Sequence, residues 1–119
     1  MQQLIDRQDI SDLVSRLGLW LDGETTLEQG RAILADDVSI STPGGAVQGL
    51  ERAVEQAARN HTEKTQHVIT NVLVEVDGDV ASAGANAIIT FPDRTLTERY
   101  AFETRRTPEG WRLTKIATG

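Results

Sequence analysis

His67 and Asn71 fall on the same alternate set of positions in TQHVITNVLVEVDGD, residues 65–79, where a plain half-buried strand needs neither. An imidazole changes charge near neutral pH, so its presence there points to proton transfer. Amides such as Asn71 and Asn86 can donate to a carbonyl and steady an enolate. Asp22 is a third candidate, a carboxylate beside Leu17, Trp20 and Leu21 that could act as acid or base where those side chains exclude water. Tyr100, within ERYAF, offers a phenol. Each residue also has a bland reading. Asp22 can be a surface acid next to a helix-ending glycine, His67 a satisfied structural histidine, and Tyr100 a core ring with its hydroxyl bonded. Among the remaining residues, His61 is read as helping to end a helix and Trp111 as anchoring the last hairpin, with Arg105 and Arg106 as solvated strand ends.

Composition narrows the field. The 119 residues suit a single domain, 1–119, with an aliphatic core, because aromatics make up only 4%. Lys and Arg total 12 against 18 Asp and Glu, a net charge of −6, which is no footprint for nucleic acid or an anionic membrane. The absence of cysteine removes disulfides and thiolate chemistry, and two histidines are too few for a three-histidine zinc site. No metal and no cofactor is expected. VEVDGDV lacks the ligand spacing of a calcium loop and reads as a turn. The start, MQQLIDRQDI, has no apolar signal region, and no apolar run reaches membrane-spanning length, so a cytoplasmic location is expected.

The elements that must position these groups are legible as periods. Ile10, Leu13, Val14, Leu17 and Leu21 place a helix over 4–21, closed by Asp22-Gly23 with the glycine in a left-handed conformation. Thr26 with Gln29 opens a second helix running to about Ala35. DDVSIST reads as a strand, PGGAVQG as a turn, and 50–60 as a third helix with Leu50, Val54, Ala57 and Ala58 on one face. The period then drops to two, predicting strands 66–76, 79–91, 96–106 and 111–117. Helices followed by an antiparallel meander define an α+β fold.

With Asp77-Gly78 as a two-residue turn, Val76 lies opposite Asp79. One face then holds Val68, Val72 and Val74 against a row of alanines. The other sets His67, Ile69, Asn71 and Leu73 against Ile88, Asn86, Gly84 and Ser82. The mixed face suits a pocket wall and the Val/Ala face suits close packing. A one-residue bulge would interchange them.

DRQDISDLVSRLGLWLDG, LADDVSIS, GLERAVEQAA, TQHVITNVLVEVDGDVA and ERYAFETRRTPEGWRLTKI, in this order, resemble the SnoaL-like division of the nuclear-transport-factor-2-like superfamily. The resemblance implies an α+β cone, a curved antiparallel sheet of about four to six strands packed on three N-terminal helices around a pocket. It also implies a homodimer formed through the sheet, with the Val/Ala face as the expected contact. Relatives include polyketide cyclases, ketosteroid isomerase, scytalone dehydratase and limonene epoxide hydrolase. The helix-ending aspartate and first pocket histidine of scytalone dehydratase match Asp22 and His67. Its tyrosines fall at Leu21 and near Thr42 here, and its second histidine near Ile88 or Thr90, so its own reaction is not implied.

The resemblance therefore implies a cofactor-independent acid–base dyad of Asp22 and His67, the carboxylate fixing the imidazole tautomer. Trp20, Ile69, Asn71, Asn86, Ile88 and Tyr100 are expected to bind a small apolar or carbonyl-containing molecule. Proton abstraction next to a carbonyl would lead to isomerisation, cyclisation or dehydration. The alternatives are a non-catalytic ligand-binding protein or a dimerisation module of the same fold.

Overall fold

In the computed structural model, which describes residues 1–119, the first helix α1 (Gln2–Asp22) buries Ile10, Leu13, Val14, Leu17 and Trp20. Ile10 and Val14 are wholly enclosed, and each contributes roughly 1.5–3 kcal/mol of transfer free energy. Gly23 ends the helix with φ −108°, not left-handed, its N–H donating to the Trp20 carbonyl. The helix α2 (Leu27–Arg31) opens as expected, Thr26 Oγ1 accepting the Gln29 N–H at 3.2 Å. It stops short of Ala35 because Leu34 and Ala35 are buried in the strand β1 (Leu34–Thr42). The stretch read as a turn contains a further strand, β2 (Gly45–Gln48), paired antiparallel with β1. The helix α3 (Leu50–Asn60) buries Leu50 and Ala53, and leaves Ala58 exposed.

Four strands complete the chain: β3 (Gln66–Asp77), β4 (Val80–Thr90), β5 (Thr95–Thr107) and β6 (Gly110–Thr118). They join β1 and β2 in one curved, open six-stranded sheet of order β2-β1-β6-β5-β4-β3. Every pairing is antiparallel except β1 with β6, which is parallel and joins the chain's early strands to its last. The fold is the expected α+β cone, and no helix is long and apolar enough to cross a membrane.

The β3–β4 hairpin corrects the expected register twice. The turn is Gly78-Asp79, with Gly78 at φ +64°, so Val76 faces Ala81 and Asp77 faces Val80. That two-residue shift preserves which face each side chain takes. A bulge between Thr70 and Leu73 does not. Asn71 occupies it at φ +57°, the only non-glycine residue with positive φ, a conformation that asparagine tolerates better than most. Beyond it Ile69 pairs with Ala87 and His67 with Ile89. His67 and Ile69 therefore share the inner face with Val74, Val76, Ala81, Ala83, Ala85 and Ala87.

The alanine row is consequently buried in the core of the chain itself and is not the contact with a second copy. Small side chains let the helix approach. At Gly18 an added Cβ would sit 3.1 Å from Ile69 Cγ1 and 3.6 Å from His67 Cβ, so the helix crosses β3 immediately beside the imidazole. The outer face carries Asn86 and Ile88, with Leu73 77% and Ile88 39% exposed.

The far end of α1 is fixed by charge. Buried Asp6 accepts from both terminal nitrogens of Arg106, at 3.0 and 2.7 Å, and from Trp111 Nε1 and Gln2. The guanidinium holds this carboxyl well below the usual carboxylate range. Arg106 is thus a tie between β5 and α1, not a solvated strand end, whereas Arg105 pairs with Asp37 at the surface. The stacked Arg106 and Trp111 make the last hairpin part of the same anchor.

Candidate active site

The close crossing at Gly18 carries the end of α1 onto the start of β3. There the Asp22 carboxylate accepts three hydrogen bonds: from the His67 backbone N–H at 2.7 Å, the Thr65 hydroxyl at 3.0 Å, and the His67 ring at 2.5 Å. The ring contact is Nδ1 to Oδ1, so Nδ1 carries a proton and Nε2 is the ring nitrogen not engaged by the carboxylate. The His67 and Asp22 side chains are only 11% and 17% exposed. His61 caps α3 and its Nδ1 lies 3.2 Å from the Leu21 carbonyl, tying the ends of α3 and α1 together.

His67 lines a cavity of about 500 Å3 between α1, α3 and the sheet, while Asp22 stands behind it. Leu17, Trp20, Leu34, Ala53, Ile89 and Ile116 form the apolar walls. Trp20 is a wall only, because its indole N–H is spent on the Thr26 carbonyl at 3.1 Å. Tyr100 stacks on Phe102 with ring centroids 5.5 Å apart and reaches the same cavity. Burial first, then the charge of Glu98, pushes the phenol's pKa above its ordinary value, so its hydroxyl remains a donor at neutral pH.

Of the residues singled out from sequence, Asp22 and His67 are brought into contact, and Trp20 and Tyr100 reach the same space. Ile69 packs on Gly18 instead of lining the cavity. Asn71 is exposed at the bulge, and Asn86 and Ile88 lie on the outer face of β4, because the one-residue interruption of β3 puts His67 and Ile69 on the face opposite to theirs. Sequence reasoning missed Gln56 and Glu98, which do line it. Glu98 had a signal, since it alternates with Tyr100 and Phe102 on the inner face of β5. Gln56 had none. No three His, Asp or Glu side chains converge as a metal site would need.

A curved open sheet wrapped on three helices is the cone fold of the nuclear-transport-factor-2-like class. Within it, residues 2–117 match the model of the SnoaL-like domain, and the chain belongs to that family. Similar solved structures include the Kfla4162 protein of Kribbella flavida, 23% identical with a TM-score of 0.88 over 98% of this chain and 90% of that one. A variant of Rv3472, a Mycobacterium tuberculosis protein of unknown function, is 22% identical with a TM-score of 0.87, covering 99% and 73%. A Streptomyces avermitilis protein of the NTF2-like family, provisionally named a dehydratase, is 21% identical with a TM-score of 0.82, covering 96% and 94%. None of the curated proteins matches the chain.

Proposed function

We propose that the chain is a cofactor-independent acid–base enzyme for a small apolar metabolite, abstracting a proton next to a carbonyl. The observation that carries this reading is the 2.5 Å contact between Asp22 Oδ1 and His67 Nδ1 at the wall of an apolar cavity. Asp22, fully engaged by three donors, orients the imidazole; His67 Nε2 takes the substrate proton. The Tyr100 hydroxyl, kept protonated, donates to the carbonyl oxygen as negative charge develops there. Proton return to a different carbon gives isomerisation, and loss of a neighbouring hydroxyl gives dehydration. The provisional name of the Streptomyces avermitilis relative is consistent with the latter.

The test is solvent exchange. Bicyclic ketones such as 2-tetralone, incubated with the protein in deuterium oxide, should gain deuterium beside the carbonyl faster than in buffer. His67→Ala should abolish the acceleration. A variant as active as the wild type refutes the role of the imidazole.

One observation favours a second reading. Asp22 also clamps the backbone at the start of β3, a role that needs no catalysis, and fits a protein that holds its ligand unchanged. A metabolite recovered chemically intact after long incubation, with no exchange in any ketone, supports that reading. In either case we place a homodimer on the sheet's outer face, where Val68, Leu73 and Ile88 are exposed, and not on the alanine row.

A further inference from the structure

Two polar groups of the cavity wall have no part in the proposed proton transfer. Glu98 lies on the inner face of β5 opposite Ala87, half-buried, one alternate position before Tyr100. It has no ion-pair partner, and none of the 12 lysines and arginines lines the cavity. Its side chain lines the cavity together with Tyr100. Gln56 on α3 makes no side-chain hydrogen bond, and its enclosed Oε1 is the only buried side-chain polar atom without a partner in the chain. A native fold tolerates such groups at a cost, and retains them where a ligand completes them.

A carboxylate with no cation near it, in a largely apolar space, sets the sign of what can enter. The Asp22 carboxylate stands behind the same wall, bonded to the His67 ring. We infer that this cavity selects an uncharged or cationic ligand carrying a hydroxyl or N–H that donates to Glu98, and rejects carboxylates and phosphates. The inference rests on the same cavity as the proposed acid–base site and deepens that reading by naming the class of substrate. Gln56 supplies a second polar point, its unpartnered Oε1 accepting from a further hydroxyl or N–H of the ligand. An apolar ring ketone that carries two such donors meets both groups at once.

Binding of four probes with one ring system tests this by calorimetry: 2-naphthylmethylamine, 2-naphthol, 2-methoxynaphthalene and 2-naphthoate. The amine and 2-naphthol should each bind at least about tenfold more tightly than 2-naphthoate, the scale expected of one unpaired charge at short range. 2-Methoxynaphthalene, which lacks a donor, should bind more weakly than 2-naphthol. Glu98→Gln should bring amine and naphthoate to within about threefold of each other while leaving the melting temperature near that of the wild type. Equal binding of naphthoate and amine to the wild type overturns the inference, as does an unchanged ratio in Glu98→Gln. Failure of all four to bind at millimolar concentration overturns it too. The same measurements on His67→Ala separate the two readings: lost ketone exchange with intact charge discrimination leaves both standing. Exchange indifferent to His67, with discrimination intact, removes only the catalytic reading.

Discussion

Replacing Asp22 with asparagine should reverse the tautomer of His67. The wild-type carboxylate accepts at 2.5, 2.7 and 3.0 Å, and acceptance at the shortest of these requires a proton on Nδ1. Asparagine has one acceptor oxygen. If the His67 backbone N–H keeps it, the amide NH2 faces Nδ1 and Thr65 Oγ1, so Nδ1 must become the acceptor and Nε2 takes the proton. The bonds survive in number but lose charge assistance, about 1 kcal/mol each, or ~2–3 kcal/mol in all. For a chain of this length that lowers the melting temperature by about 10 °C without unfolding it. Long-range proton–nitrogen NMR of the imidazoles reads the tautomer directly. His61 is the only other histidine, so His61→Gln completes the assignment. The wild type should show a protonated Nδ1 at His67 and Asp22→Asn a protonated Nε2. A wild-type ring protonated at Nε2 refutes the dyad, whatever the substrate.

Asp6→Asn should lower the melting temperature at neutral pH. Because the native carboxyl holds its proton less tightly than in the unfolded chain, its contribution is complete above its ordinary value of 3.8 and is lost as pH falls below it. Melting curves from about pH 7 to about pH 2 should show the gap between wild type and variant closing at the acid end; a constant gap counts against the ion pair. Ile88→Glu, on the outer face, should convert a dimer to a 13.0 kDa monomer in light scattering while preserving ketone exchange. A wild type already monomeric at high concentration argues against that interface.

The helices were readable because their apolar residues recur at helical spacing and Thr26 caps α2 through its own side chain. The strand β2 was not, because its four residues, Gly45–Gln48, are too few to carry a period of their own. The parallel pairing of β1 with β6 joins segments far apart in the chain, which no local pattern reports. At the site, Asp22, His67, Trp20 and Tyr100 were found by residue type and by likeness to a family. Asn71, Asn86 and Ile88 were misplaced for a single reason. Alternation was carried unbroken through Asn71, and once an odd residue is inserted there, every position on its far side changes face. His67 still reached the cavity because the expected pocket face and the true inner face both contain it, one by unbroken counting and the other through the bulge.

The strand β3 forms one margin of the sheet, and 12 residues of extended backbone there would ordinarily invite a stray strand to zip alongside. The kink at Asn71 divides that margin into two short runs that are out of phase with each other. An incoming straight segment can match one run or the other, but not both. The insertion that turns an imidazole toward the cavity thus also discourages fibrous stacking, and excising it would both turn that ring outward and leave the molecule prone to self-association.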